Sequence, residues 1–170
     1  MKRIPVTVIA LLALLVTIGA APVSPKASEK FDTHLSGGEE VPPRDTKAKG
    51  VAKFKLSKDG TELDYKLTVS NIKNVVAAHI HCEAAGVNGP VGVTLFMGTP
   101  GSGRFSGVLA RGTITAPDSG NGCGWLTLAD VLAAMNSGDT YVNVHTNDGV
   151  DPTNTGPGDF PGGEIRGQIE

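Results

Sequence analysis

The four histidines of this 170-residue chain, His34, His79, His81 and His145, are its most specific candidates for chemistry. His79 and His81 are separated by one residue within a segment, residues 77–82, whose composition favours a β-strand. Because side chains alternate between the two faces of a strand, both imidazoles share one face, about 6.6 Å apart along the chain. Neutral imidazole nitrogens are good ligands for copper and zinc. The pair therefore indicates part of a metal site.

His145 lies in a second predicted strand, on the same face as Tyr141 and Asn143. If this strand neighbours the first, His79, His81 and His145 form a copper or zinc site with one coordination position left open. A structural role is the interpretation that the sequence favours, because H-x-H alone is a weak motif: the imidazoles would form hydrogen bonds that hold strands and loops together. The candidate partners for those bonds are Glu83, Asn143, Thr146 and Glu164. The sequence leaves both interpretations open.

Other catalytic patterns are absent from the sequence, which contains no G-x-S-x-G elbow, no H-E-x-x-H and no Walker loop. Asp148, Asp151 and Asp159 lie in a Gly- and Pro-rich segment after His145, where turn formation explains them better than calcium binding does. No residue is marked out as a nucleophile. We therefore expect a protein that is not an enzyme, with copper-dependent redox activity as the alternative.

The elements that position the histidines are predicted to be strands. The chain has 23 Gly and 11 Pro, which excludes long helices as its main structure. An alternating pattern on both sides of a turn at residues 58–60 predicts a hairpin. Further strands are predicted at residues 75–82, 91–97, 107–115, 140–146 and 163–169. A single short helix near residues 127–136 is predicted from the N-cap Thr127 and the apolar positions that follow it. This order favours an antiparallel sandwich or barrel of seven to nine strands.

The N-terminal residues predict export. Residues 1–21 have a basic start, an apolar stretch and small residues at the end, as in a signal peptide, although retention as an N-terminal anchor is the alternative. Residues 22–30 are predicted to form a flexible linker, and residues 31–170 are predicted to form one domain. The formal net charge of −2 argues against nucleic acid as a partner. We expect a secreted, extracellular or periplasmic protein with no membrane span after cleavage of the leader.

Cys82 and Cys123 are the two cysteines of the chain. An even count in an exported protein favours a disulfide between them, and two buried free thiols are the alternative. A disulfide between them would close a loop of 41 positions. In the chain-entropy description, this would stabilise the fold by roughly 4 kcal/mol.

Four motifs together resemble the CHRD domain, a family named for chordin. They are Ala78-His79-Ile80-His81, Gly86-Val87-Asn88-Gly89-Pro90-Val91, Tyr141-Val142-Asn143-Val144-His145-Thr146 and Pro161-Gly162-Gly163-Glu164-Ile165-Arg166-Gly167-Gln168-Ile169. The resemblance covers about residues 31–170 and implies an all-β, immunoglobulin-like fold in an exported protein without established catalytic activity. Asn143, Glu164 and Arg166 are expected to be structural residues of these motifs, the last two as a possible ion pair.

The sequence thus leads to a secreted or surface-tethered, non-enzymatic module that binds an extracellular protein or a cell-envelope polymer. The alternative is a copper or zinc protein built on the strand histidines. A fainter likeness to copper/zinc superoxide dismutases comes from the H-x-H motif, a disulfide and Arg166 near the C-terminus. A copper-only site of that kind would need His34, and the residues around His34 predict a flexible segment.

Overall fold

The computed structural model describes residues 29–170, and the predicted signal peptide and nearly all of the predicted linker lie outside them. Eight antiparallel strands form one sheet that closes into a nearly complete barrel, with one α-helix, as the sequence predicted for an all-β fold. The strands are β1 (Lys30–Ser36), β2 (Lys49–Leu56), β3 (Leu63–Lys73), β4 (Val75–Cys82), β5 (Val91–Met97), β6 (Arg104–Ile114), β7 (Thr140–Thr146) and β8 (Ile165–Gln168). Their order in the sheet is β5-β4-β7-β8-β1-β2-β3-β6.

The barrel closes where its two outermost strands, β5 and β6, approach each other. Tyr65, on the strand next to β6, donates its hydroxyl to the backbone oxygen of Leu95 on β5 over 2.7 Å. The interior is aliphatic and aromatic because the strands alternate: Phe54 and Leu56 on β2 are buried, whereas Lys55 between them is exposed. The predicted hairpin is confirmed, with Gly60 at positive φ in its turn.

The helix α1 (Leu128–Ser137) begins and ends close to its predicted bounds. Thr127 and Asp130 form a reciprocal capping box, and Gly138 ends the helix in the left-handed conformation. Its apolar face joins the core through Leu128, Val131 and Met135. Within residues 29–170, no helix is long and apolar enough to cross a membrane.

Strand β1 differs from the expectation, since the sequence suggested a flexible segment around His34. The strand pairs with β2 over all seven of its residues. Phe31, Thr33 and Leu35 point into the core, and His34 is exposed on the outer face. The local sequence pattern does not predict this strand, because the strand is short and contains Asp and His. Its conformation is set by pairing with β2.

The outer face of the barrel has two unlike halves. Over β4, β7 and β8, the segments 83–90 and 157–164 cover the sheet, so the outward-facing residues Tyr141, Asn143 and Arg166 are almost completely buried. Over β1, β2, β3 and β6, the outward-facing side chains are mostly exposed. The strand histidines lie on the covered half.

Candidate metal centre

The pairing of β4 with β7 brings His79, His81 and His145 together. In this register His79 lies opposite Asn143, and His145 lies opposite Ala77. Ile80 and Val144 point into the core, so the three imidazoles face outward, as the two-residue period requires. Ring centroids are 5.0 Å apart for His79 and His145, and 5.6 Å apart for each of the other two pairs. The three rings form a compact triangle.

One ring nitrogen from each of the three histidines lies within 4.8 Å of the other two. Zinc–nitrogen bonds are about 2.0–2.1 Å long, so ligand nitrogens of a tetrahedral ion are roughly 3.3 Å apart. The nitrogens must therefore close in by at most about 1.5 Å for one ion to bind all three. Three nitrogens from two paired strands leave one coordination position free, the arrangement of reactive rather than purely structural metal sites.

Backbone carbonyls fix the tautomers of two of the histidines. Nδ1 of His81 lies 3.0 Å from the oxygen of Gly89, and Nδ1 of His145 lies 2.9 Å from the oxygen of Pro161. A carbonyl oxygen only accepts, so each Nδ1 carries the proton and donates it. The lone pair is then on Nε2 in both rings. Metal-binding histidines commonly orient themselves in this way.

Three ring nitrogens are buried without a hydrogen-bond partner among the described residues: Nδ1 of His79, Nε2 of His81 and Nε2 of His145. Burial lowers the pKa of His79, and it lowers the pKa of His81 and of His145 to about 4, with the neighbouring imidazoles adding to the effect. At neutral pH the rings are therefore neutral and can bind a cation through their lone pairs.

A stack of three side chains supports His81. The ring of Tyr141 lies parallel to the His81 imidazole, with centroids 4.9 Å apart and an interplanar angle of 8°. The guanidinium carbon of Arg166 lies 3.5 Å from the centroid of the Tyr141 ring. The Tyr141 hydroxyl accepts a hydrogen bond from the amide of Gly89 over 2.9 Å. Tyr141 thus holds both the imidazole and the loop whose carbonyl orients it.

Two buried carboxylates lie in the same polar layer. Glu164 accepts hydrogen bonds from the hydroxyls of Thr46 and Thr146 and from the amide of Gly158, at 2.6–2.7 Å. Glu40 accepts one from Asn143 over 3.3 Å, and its Oε1 is buried without a partner among the described residues. Burial raises the pKa of Glu40 to about 7.

The expected side-chain partners of the histidines differ from those observed. The histidine hydrogen bonds go to the backbone oxygens of Gly89 and Pro161, not to Glu83, Asn143, Thr146 or Glu164. Glu164 and Arg166 also take separate partners instead of forming an ion pair with each other: Arg166 donates to Asn88, to the oxygen of Ala84 and to Gln168. Both turns that provide the carbonyls were visible in the sequence as Gly- and Pro-rich segments, but nothing there indicated contact with an imidazole.

The cysteines, His34 and Asp159 lie outside the triangle of imidazoles. Cys82 and Cys123 form the predicted disulfide, which ties the residue after His81 to the segment that precedes α1. His34 is outside the triangle of histidines, exposed on β1 opposite Val51. Asp159 accepts hydrogen bonds from the amide and the hydroxyl of Thr155, and these bonds close a turn.

Comparison with known proteins gives one match. The family model for the CHRD domain matches residues 31–169, nearly all of the described chain. Searches of curated proteins and of solved structures gave no significant match.

Proposed function

The chain belongs to the CHRD domain family, and from that premise we propose that it is a non-enzymatic module that binds one copper ion through His79, His81 and His145. The observation that carries the proposal is the convergence of three imidazoles, each with a buried ring nitrogen that has no hydrogen-bond partner among the described residues. A buried polar atom without a partner costs about 1–3 kcal/mol. The three atoms belong to histidines that each have a ring nitrogen within 4.8 Å of one in each of the other two, which a shared ligand explains best.

The donor set indicates the kind of ion. Three neutral imidazoles suit copper and zinc, whereas magnesium and calcium prefer oxygen ligands. Copper(II) binds a given set of nitrogen ligands more tightly than zinc does. We therefore propose copper as the preferred ion and zinc as a weaker competitor. The predicted leader at residues 1–21 and the family resemblance support a site of action outside the cytoplasm.

A copper titration of the purified protein tests the proposal, with elemental analysis for the stoichiometry. We expect one ion per chain and an increase in unfolding free energy of about 2.7 kcal/mol when free copper is a hundredfold above Kd. The variant His79→Ala should lose stoichiometric binding. This histidine is half-buried and its Nδ1 has no hydrogen-bond partner among the described residues, so its removal should leave the fold intact.

His34→Ala is the matched control, because it removes an exposed imidazole from β1, on the half of the outer face that no loop covers. It should bind copper like the wild-type protein. The proposal is wrong if the folded wild-type protein takes up no stoichiometric copper, or if His34→Ala weakens binding as much as His79→Ala does. Zinc binding tighter than copper binding would keep the site but overturn the choice of ion.

A further inference from the structure

The exposed half of the outer face, formed by β1, β2, β3 and β6, carries a row of positively charged side chains. The register places Lys53 directly opposite Lys66, and Lys66 directly opposite Arg111, on the adjacent strands β2, β3 and β6. All three side chains are exposed and point away from the core. Adjacent strands are about 4.8 Å apart, so the row spans roughly 10 Å across the sheet. Asp32 on β1 lies at one end of it, opposite Lys53.

A second row runs parallel to the first and adds to its charge. Lys30 lies opposite Lys55, and Lys55 lies opposite Asp64, which accepts a hydrogen bond from Thr113. The two rows together contain five cationic side chains and two carboxylates, a net charge of +3. The whole chain has a formal net charge of −2. The positive surface is therefore a local concentration of charge on a mildly acidic protein.

This arrangement costs stability. Like charges directly opposite each other on neighbouring strands repel and destabilise the pair. Exposed lysines often protect the edge strands of a sheet from pairing with another chain. That explanation does not apply to Lys53 and Lys66, because β2 and β3 are interior strands of the sheet. A ligand that neutralises the row would offset the repulsion.

The shape and composition of this face indicate the partner. The rows lie on a continuous sheet surface, so they offer charge to an extended polymer. The two rows contain no aromatic side chain on which a base could stack. The one exposed large apolar side chain on β1, β2, β3 and β6 is Phe105, which lies away from the rows, opposite Ile72. Lysine supplies compact, mobile charges that suit an irregular series of anionic groups. From this charge complementarity we propose that the face formed by β1, β2, β3 and β6 binds a linear acidic polysaccharide that carries carboxylate or sulfate groups.

The test uses polygalacturonate and dextran sulfate as probes, with neutral dextran as the uncharged comparison. The variant Lys53→Gln/Lys66→Gln/Arg111→Gln should bind both acidic polymers at least tenfold more weakly than the wild-type protein at low salt. Its affinity should also depend less steeply on salt, because fewer counterions are released. Its melting temperature should be equal to or higher than that of the wild-type protein, since the repulsion is gone.

The matched control, Lys58→Gln/Lys73→Gln/Arg104→Gln, removes three exposed cations outside the two rows. Lys58 is in the hairpin turn, Lys73 is at the far end of β3, and Arg104 lies opposite Lys73 on β6. It should lose less than threefold in affinity. Equal losses in the two triple variants would overturn the proposal, because net charge alone would then account for binding. It would also be overturned if the wild-type protein bound neither polymer, or bound vesicles of phosphatidylcholine and phosphatidylserine, or duplex DNA, more tightly than either one. Because the copper ligands are untouched, copper binding in the row variant should remain as in the wild-type protein, so this test and that of the metal site fail independently.

Discussion

Replacing Glu40 by Gln should make the protein more stable at high pH, with a much smaller gain near pH 5. Glu40 follows the short 3-10 helix Gly37–Glu39, has 4% of its surface exposed and accepts a hydrogen bond from Asn143. Burial raises the pKa of its carboxyl group from 4.5 to about 7, against the opposing influence of Asn143 and of the Arg166 and Arg44 charges. The charged form is therefore costly in the folded state.

The size of the effect follows from the shift in pKa. The difference between 4.5 and about 7 corresponds to about 3 kcal/mol, at 1.36 kcal/mol per unit. The folded-state pKa of Glu40 is raised, so the stabilisation by its bound proton is fully present below pH 4.5 and is lost as the pH rises through 7. Glutamine does not titrate. The stability of Glu40→Gln relative to the wild-type protein should therefore increase by about 2–3 kcal/mol between pH 5 and pH 8.

Urea unfolding followed by the fluorescence of Trp125 at pH 5, 6, 7 and 8 measures this difference. Comparison of two proteins at each pH cancels the titration of the histidines, which affects both equally. Asn143 Oδ1, buried without a donor among the described residues, offers an acceptor for the new amide. Glu39→Gln, on the exposed side of the same turn, is the control and should change stability by less than about 0.5 kcal/mol at every pH. A difference between Glu40→Gln and wild type that does not vary with pH would refute the reasoning.

Two further substitutions test the surroundings of the histidines. Tyr141→Phe keeps the ring stacked on His81 but removes the hydroxyl that binds the Gly89 amide, so copper affinity should fall about tenfold in a competition titration with a chelator. Cys82→Ser/Cys123→Ser opens a loop of 41 positions and should lower the free energy of unfolding by about 2–4 kcal/mol in urea denaturation.

Unchanged copper affinity in Tyr141→Phe, with the fold intact by circular dichroism, would show that the Gly89 loop positions itself without the hydroxyl. Unchanged stability in the double serine variant would show that the packing of the segment before α1 already restrains the chain as much as the disulfide does.

The parts of the structure that could be predicted are those controlled by local periodicity. The two-residue repeat places His79 and His81 on one face and Ile80 on the other, which the strand β4 confirms. The capping box at Thr127 and the stop at Gly138 set the helix, because both act within one turn of the chain. These features need no knowledge of distant contacts.

The parts that could not be predicted depend on register and on loops. That His145 meets His79 and His81 depends on the pairing of β4 with β7, and some sixty residues lie between the paired strands. The carbonyls of Gly89 and Pro161 reach the imidazoles only because their loops fold back over the sheet. A turn signal reports where the chain reverses but not which side chain its oxygens will meet.

The alternation that positions the histidines also separates the core residues from the proposed copper ligands. Around the histidines, Ile80 on β4 and Val142 and Val144 on β7 belong to the aliphatic core, and the residues that alternate with them form the polar layer beneath the loops. A substitution at His79 therefore removes no core contact, and its effect on copper binding can be measured on a folded protein. His81 and His145 differ, because each also satisfies a loop carbonyl, so their replacement is expected to lower stability by about 1–3 kcal/mol as well. For that reason His79 is the position that discriminates between a metal site and a purely structural cluster: a structural role predicts little change in any property of His79→Ala, whereas a metal site predicts the loss of copper binding with the fold retained.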